Sequence, residues 1–473
     1  MIKFGTDGWR ARISDEFTFE NVRLVAQGYV NYLIKEGTAD KGLVVGYDNR
    51  FQSEDFAYES AKVAAANGIK VYLTERAVPS PVTSFAVKKR GAAGAIMITA
   101  SHNPPEWNGF KIKAPYACSA SPEITKAVEK EVQALLTRSE KPITGSAAEQ
   151  LIEKIDPKKE YFDHIAKFVD MDRIKKASIN IVIDPMHGSA AGYLREILGM
   201  NGIMSNEIND TRDPLFGGIN PEPLPLNLEE LSSCVREKSL EKMGLTVGIA
   251  LDGDGDRIGA MDDKGVYVSS HNIFMILLKH LVENKKLSGS VVKTFNVTNL
   301  VGSLAGKYKL TLHETPIGFK YIADYILKED VLIGGEESGG IGIKGHIPER
   351  DGVLNGLLLL EAVATLKKGL REILNDIMDE FGYFYYDRID VRLTEEQRQK
   401  VKEKLGSFKP DKFIGEKVGD IQDLDGIKIF LEDNSWILFR LSGTEPLLRI
   451  YSEATSTEKV KRMLAEGERV ISK

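Results

Sequence analysis

The stretch AIMITASHNPPEWNGFKIK, Ala95 to Lys113, contains the unit from which the fold can be read. Its opening Ala-Ile-Met-Ile is a short apolar run of the kind that forms a buried strand. The run empties abruptly into Thr-Ala-Ser-His-Asn-Pro, where Asn-Pro and Pro-Pro bar an immediate helix. A serine beside a histidine is thus lifted to the mouth of a strand. A tryptophan and two lysines, Lys111 and Lys113, follow.

Working outward, the same plan recurs. Upstream, GLVVGYDNR (Gly42 to Arg50) reads as a buried strand running into a polar turn. SEDFAYESAKVAAANG then reads as a helix with Ser53 as N-cap and Gly68 as stop, and IKVYLTE as another strand. A helix from about Val82 leads into the strand that ends at the serine loop. The order returns with INIVID, SAAGYLREILGMNG, IMSNEI, a helix around Leu228 to Met243 and the strand LTVGIALD. A third copy runs through SVVKTF, TNLVGSLAGKY, KLTLHET, FKYIADYILKE and DVLIGG. Short continuous apolar strands alternating with amphipathic helices indicate α/β modules with helix-covered sheets. Each copy ends on a strand that empties into a chemically unusual loop: TASHNP, DGDGDR or GEESGG. Ligands of open α/β sheets sit beyond the strand C-termini, so these three loops can converge on one cleft. From about Gly382 the character changes to an α+β pattern of about 90 residues.

The totals agree with a multidomain globular protein. The chain has 473 residues, 42% hydrophobic and 28% charged, which supports several cores without staples. Its two cysteines, Cys118 and Cys234, match no metal or redox spacing and fit a reducing cytoplasm. No secretory h-region opens the chain, and the apolar windows NIFMILLKHLV and GLLLLEAVATL fall short of a membrane span. A net charge of −6 argues against a general nucleic-acid binder, though not against an anionic substrate. The reading is a cytoplasmic protein with no nucleic-acid or membrane partner.

Each loop has its own chemistry. DGDGDR carries Asp252, Asp254 and Asp256 at alternating positions, and the glycines let the backbone curl so that the carboxylates meet. Three hard oxygens suit Mg²⁺; a solvated acidic turn is the plainer alternative. An EF-hand is excluded, because Arg257 and Asp263 stand where glycine and glutamate are needed. With a metal nearby, Ser101 becomes a candidate phosphoryl carrier; the alternative is a hydroxyl that merely satisfies a turn. GEESGG offers Glu336, Glu337 and Ser338 on a flexible turn, suited to sugar hydroxyls or simply to solvent. RLSGTEPLLR places Arg440 and Arg449 around Ser442, Gly443 and Thr444, either a phosphate cradle or a hairpin turn.

In combination and in this order, TASHNP, DGDGDR, GEESGG and RLSGTEP resemble the α-D-phosphohexomutases, in their phosphoglucomutase/phosphomannomutase branch. The resemblance runs nearly end to end and includes the opening GTDGWRARI. It implies three similar α/β domains with mixed sheets and a smaller α+β C-terminal domain around one central cleft. The divisions fall at 1–152, 153–262, 263–378 and 379–473. It also implies a reaction in which phosphoserine 101 gives its phosphoryl group to a hexose monophosphate and recovers one from the bisphosphate formed. Asp252, Asp254, Asp256 and the phosphate on Ser101 would hold Mg²⁺, and hexose 1,6-bisphosphate would act as activator. Lys111 is the implied acid/base, Arg10 and Arg257 stabilise the transferring group, and His102 orients. Glu336, Glu337 and Ser338 would read the sugar, while Arg440, Ser442, Gly443, Thr444 and Arg449 would hold the other phosphate. Lys320 in TPIGFKYI and Glu337 look like the glucose-specific branch, whereas Gly339-Gly340 departs from both the glucose and the amino-sugar patterns. Glucose phosphate is therefore favoured, mannose phosphate tolerated and glucosamine phosphate ranked below, in a monomer or homodimer.

Two other classes stay open at this level. A haloacid-dehalogenase-type phosphohydrolase would use Asp252 as nucleophile and Asp254 as acid, but leaves Ser101 and the C-terminal loop without a role. A silent sugar-phosphate sensor has no need of Ser101 and three aspartates.

Overall fold

The computed structural model describes every residue except 1, 6–7, 242–243, 443–446 and 473, and the side chains at 146, 147 and 472. The chain builds four sheets. The first has six strands, with Ala95–Ile98 parallel to Leu43–Tyr47, which is parallel in turn to Val71–Thr74 and then Ile152–Ile155. On its other edge Ala95–Ile98 pairs antiparallel with Trp107–Lys113, and Gly8–Arg12 closes that side. The second sheet orders Tyr267–Val268, Ile258–Met261, Thr246–Leu251, Asn180–Asp184 and Asn206–Glu207. The third orders Leu312–Thr315, Ser290–Thr294, Val331–Gly335 and Ile341–Ile343. Ile152–Ile155 and Tyr267–Val268 carry the first two sheets a few residues past the divisions read at 152 and 262.

The repeat lies in the connections. In each α/β sheet a parallel strand runs out, makes the unusual loop, and returns as an antiparallel partner: Ala95–Ile98 with Trp107–Lys113, Thr246–Leu251 with Ile258–Met261, and Val331–Gly335 with Ile341–Ile343. The sheets are therefore mixed, and each loop caps a hairpin at the C-terminal edge of its sheet. The fourth sheet, Tyr385–Arg392 through Lys412–Phe413, is antiparallel throughout, with the helix Thr457–Ser472 packed against it.

The apolar window GLLLLEAVATL belongs to the helix Gly352–Leu366, buried along nearly its whole length. It packs against the helices Met171–Ala177, Tyr193–Met200 and Ser270–Lys279. An all-round apolar helix fits here because these helices and the strands Thr246–Leu251 and Ile258–Met261 of the second sheet surround it. Among the described residues no helix is long and apolar enough to cross a membrane.

Some local expectations are corrected. Ser53 is not an N-cap: the helix Ser53–Ala66 starts on it after a left-handed Gln52, and its hydroxyl donates to Asp48 Oδ1 (2.8 Å). The tertiary partner outcompetes the helix end for the hydroxyl. IMSNEI contributes only Asn206–Glu207 to its sheet, at an edge where the chain turns away early.

The C-terminal domain docks on the third through an unusual cation. Lys428, on the strand Ile427–Leu431, is fully buried and donates to the Phe295 carbonyl oxygen (2.7 Å). The rings of Trp436, Phe295 and Phe430 face its ammonium at 4.2, 4.9 and 5.0 Å. Burial, with Lys293 adding the same sign, pushes its pKa down to about 7 against the pull of Glu314 and Glu453. The amine then loses its proton in the folded state well below the unfolded value of about 10.4. Its contribution to stability rises with pH above about 7, by at most about 1.4 kcal/mol per unit. The Tm of Lys428→Met should therefore exceed that of the wild type most at about pH 6, and the gap should close toward about pH 9. A gap that does not change with pH would mean that the ring cage keeps the amine charged.

Candidate active site

The three capped hairpins meet. A Cβ on Gly253 would lie 2.6 Å from the Ser101 carbonyl oxygen, so the aspartate loop and the serine loop touch backbone to backbone. The Ile258 N–H donates to the Gly339 carbonyl (3.2 Å), and Arg257 forms a bridge with Gly340, which joins the aspartate loop to GEESGG. Glycine is required at 253 and 340 because neighbouring atoms already occupy the Cβ position.

Ser101 sits at the centre. It adopts a left-handed conformation (φ +53°), a strain of ~1–3 kcal/mol for a non-glycine residue that the surrounding loop must sustain. Its N–H donates to Thr99 Oγ1 (2.8 Å), and its own Oγ donates to Asp252 Oδ2 at 3.0 Å. His102 Nδ1 lies 3.4 Å from that Oγ. Burial, reinforced by the charges of Arg257, Arg10 and Lys111, holds the His102 pKa well below the ordinary imidazole value, so the ring is neutral. Arg10 Nη1 donates to Asn103 Oδ1 (2.8 Å) on the same loop.

Asp252, Asp254 and Asp256 are fully buried, and one ligand oxygen of each lies within 4.8 Å of the others. The segment is a turn rather than an extended strand, with only Gly255 of its two glycines at positive φ, and Asp252 Oδ1 accepts the N–H groups of Asp256 and Arg257. Burial and then the two neighbouring carboxylates push the Asp252 pKa well up; burial does the same to Asp256 against Arg350. Burial works on Asp254 too, but Lys111 (Nζ to Oδ2, 2.9 Å) and the Ser80 hydroxyl (2.6 Å) overcome it and hold that pKa well down. Among the described residues Asp254 Oδ1 is buried without a hydrogen-bond donor. Clustered carboxylates with an orphaned oxygen fit a divalent cation, and hard oxygen donors suit Mg²⁺.

The remaining residues take distinct places. Arg257 spans Glu222 (3.3 Å), Asp256 (3.9 Å) and Asp252 (4.0 Å). Glu336 is buried against Arg350 Nη1 (3.2 Å), whereas the Glu337 carboxylate accepts from Arg388 Nη1 and Tyr386 Oη of the C-terminal domain, each at 3.0 Å. Ser338 lies beside them on the loop. Lys320 stands in the first turn of Phe319–Lys328, its ammonium 5.0 Å over the Tyr321 ring. Arg440 and Arg449 face each other directly across two antiparallel strands. Like charges so placed repel, and here Asp425 (2.9 Å to Arg440) and Asp390 (3.7 Å to Arg449) flank them. Ser442 is buried between these strands, its carbonyl accepting from Arg398 (2.9 Å); Gly443 and Thr444 lie outside the described residues.

Sequence reasoning missed Arg350, which reaches Asp256 (2.6 Å) and Glu336 and connects the aspartate loop to GEESGG. Its only signal is the charged triplet Glu349-Arg350-Asp351 ahead of an apolar helix. It also missed Ser80 and the Arg388–Tyr386 pair, which carry no motif at all.

Comparison with known proteins agrees with this geometry. Residues 1–139, 159–265 and 269–381 match the families described as phosphoglucomutase/phosphomannomutase, alpha/beta/alpha domains I, II and III. Residues 389–469 match the C-terminal domain of the same family. The chain belongs to the phosphoglucomutase/phosphomannomutase family. Its members are mutases, that is, intramolecular phosphotransferases acting in carbohydrate metabolism, and so is this protein. A phosphoglucomutase/phosphomannomutase of Thermococcus kodakarensis is 30% identical over 98% of the chain and 97% of that relative. A probable phosphoglucosamine mutase of Methanothermobacter thermautotrophicus is 29% identical, covering 97% and 95% of the two chains. The crystal structure of a Thermus thermophilus protein, provisionally assigned as a phosphomannomutase, superposes with a TM-score of 0.87 at 35% identity. The match covers 100% of this chain and 99% of that one.

The carboxylate cluster of this mutase predicts a metal-dependent stability. In EDTA, Asp252→Asn relieves repulsion and should unfold at or above the wild-type temperature. Saturating Mg²⁺ should raise wild type by several degrees and reverse the order, because only the intact set gains the binding free energy. Identical Mg²⁺ responses in thermal scans of the two proteins would show that these carboxylates do not hold the ion.

Proposed function

We propose that this phosphohexomutase is Mg²⁺-dependent and interconverts glucose 1-phosphate and glucose 6-phosphate, accepting mannose phosphates more weakly. It does so through a phosphoserine at Ser101 and glucose 1,6-bisphosphate, which also serves as activator. The observation that carries the reading is Ser101 Oγ, strained and 3.0 Å from Asp252 Oδ2, at the meeting point of three loops. A phosphoryl group on that oxygen adds its anionic oxygens to those of Asp252, Asp254 and Asp256, which together would hold Mg²⁺. When bound, the ion neutralises charge on the transferring group.

The chain's own residues do the rest. The sugar hydroxyl attacks phosphorus as the bond to Ser101 Oγ breaks; the Lys111 ammonium, whose Nζ also contacts Asp254, gives a proton to the departing Ser101 Oγ and takes up the hydroxyl proton in exchange. A lysine held in this way must exchange its proton with the reacting oxygen within the cluster. Arg10 and Arg257 stabilise charge on the transferred group, and neutral His102 orients the serine oxygen. In the second half, after the bisphosphate turns end for end, Ser101 Oγ attacks the other phosphorus, its hydroxyl proton passes to Lys111, and Lys111 gives a proton to the sugar oxygen as the P–O bond to the sugar breaks. Arg440, Arg449 and Ser442, with Gly443 and Thr444, hold whichever phosphate is not reacting. Arg440 and Arg449 face each other in a pair that a phosphate dianion would neutralise.

Glu336 and Ser338 read the sugar hydroxyls. Glu337 and Lys320 favour glucose, and Glu337 does so while bonded to Arg388 and Tyr386, so its contribution includes drawing the C-terminal domain over the sugar. Gly340 has a reason of its own: a Cβ there would fall on the Arg350 side chain, which fills the space that a larger residue would take. Phosphoglucosamine mutase is the second reading, favoured by the name of the Methanothermobacter relative.

A ³¹P NMR time course with glucose 1-phosphate, Mg²⁺ and a trace of glucose 1,6-bisphosphate tests this. Glucose 6-phosphate should accumulate without inorganic phosphate, and Ser101→Ala should abolish turnover. Lys111→Met should lower kcat by ~10²–10⁴ while the serine is still phosphorylated. Phosphate release that survives Ser101→Ala would move the chemistry to Asp252. Faster turnover of glucosamine phosphate than of glucose phosphate would favour the second reading.

A further inference from the structure

The serine loop is held from beneath by a side chain that takes no part in the site described so far. Arg50 ends the turn Tyr47-Asp48-Asn49-Arg50, and its side chain, like that of Asp48, has 0% exposure. Its Nη2 donates to the carbonyl oxygens of Ser101 (2.5 Å) and Asn103 (2.7 Å). Its Nη1 donates to those of Pro104 (2.8 Å) and Trp107 (3.0 Å). One guanidinium thus binds the loop's main chain at four points, beginning with the strained residue itself. The fork is fixed in turn: Asp48 Oδ2 lies 3.2 Å from Arg50 Nε, and Asp48 Oδ1 accepts from the Arg50 N–H (3.0 Å) and Ser53 Oγ (2.8 Å). Phe216 of the second domain lies over the guanidinium at 4.9 Å. The neighbouring Asn49 donates to the carbonyls of His187 (2.9 Å) and Gly188 (2.8 Å). The loop carrying those carbonyls backs the metal loop, with the Ser189 N–H donating to the Gly253 carbonyl (3.0 Å).

We infer that Arg50 is a positioning residue for phosphoryl transfer: it fixes the phosphoserine loop in the register that places Ser101 Oγ against the carboxylates. The inference rests on the phosphoserine reading above. Only a planar fork can serve four carbonyls at once; a lysine ammonium, with one nitrogen, cannot span them. Packing alone would need a large buried group, but not one whose donors all end on the reactive loop. A loosened loop leaves the phosphoserine chemically intact but misplaced by a fraction of an ångström. The sugar hydroxyl then attacks less often, and water competes: the P–O bond to Ser101 Oγ breaks, a P–O bond to water oxygen forms, and inorganic phosphate leaves.

The test compares wild type, Arg50→Lys and Asp48→Asn, with Glu361→Gln as a control that disturbs another buried pairing, to Lys285 (2.8 Å) and His280 (3.2 Å), away from the cleft. For each protein, kcat is expressed per phosphorylated serine counted by intact mass, and inorganic phosphate released per mutase turnover is followed by ³¹P NMR. Arg50→Lys should lose ~10²-fold in kcat with KM changed by less than about threefold, and its phosphate release per turnover should rise. Asp48→Asn, which loosens the fork without removing it, should shift both quantities in the same direction by less. Glu361→Gln should lower Tm without moving either. If Arg50→Lys and Asp48→Asn lose only stability, with kcat per phosphoserine and the phosphate leak at wild-type values, Arg50 is structural and the inference falls. A wild-type protein without mutase turnover would instead overturn the phosphoserine reading beneath it.

Discussion

Three fully buried carboxylates in one short turn are the constraint on which the rest of this structure depends. Left alone, Asp252, Asp254 and Asp256 would repel one another in a medium that solvates none of them. The protein meets this by bringing cations from different domains. Lys111 comes from the first, Arg257 from the aspartate loop itself, and Arg350 from the third. Lys111 and Arg350 reach the aspartates only because their domains pack against the second. The cluster is therefore both the chemical centre and a reason for the domains to associate.

The repeated hairpin gives this association its form. In each α/β sheet the last parallel strand turns through a loop and comes back antiparallel, so the loop is anchored at both ends. Close approach explains two of the glycines better than flexibility does: Gly253 lies against the Ser101 carbonyl of the serine loop, and Gly340 lies against the Arg350 side chain. The C-terminal domain joins differently, through side chains: Lys428 in its ring cage, and Glu337 gripped by Arg388 and Tyr386. Around these contacts Phe295 packs with Trp436, Leu438 and Tyr451 in a small buried cluster, separate from the main core of the C-terminal domain.

Membership of the phosphoglucomutase/phosphomannomutase family settles the class of reaction and leaves the hexose open, since relatives of nearly equal identity carry different substrate names. On the reading proposed above, few side chains would meet the sugar. Glu336 is turned toward Arg350 and Glu337 toward the C-terminal domain, so each of the two proposed sugar-reading carboxylates already has a cationic partner.

By itself the sequence determined the alternation of strands and helices, the three loops at strand ends and the carboxylate triplet. These depend on local periodicity, on glycine and proline, and on residues close together in the chain. It also pointed to Ser101, whose loop Asn-Pro and Pro-Pro bar from continuing as a helix. What the tertiary structure alone decided are the partners drawn from far along the chain. Arg350 comes to Asp256, Arg388 to Glu337, and Arg50 to the carbonyls of the serine loop. None of these arginines belongs to a recognisable spacing, because each was placed by packing between domains rather than by its neighbours in sequence. Ser53 illustrates the same limit at short range. Its local signal as a helix cap was sound, yet a buried carboxylate five residues earlier took its hydroxyl, because a buried carboxylate needs every donor within reach.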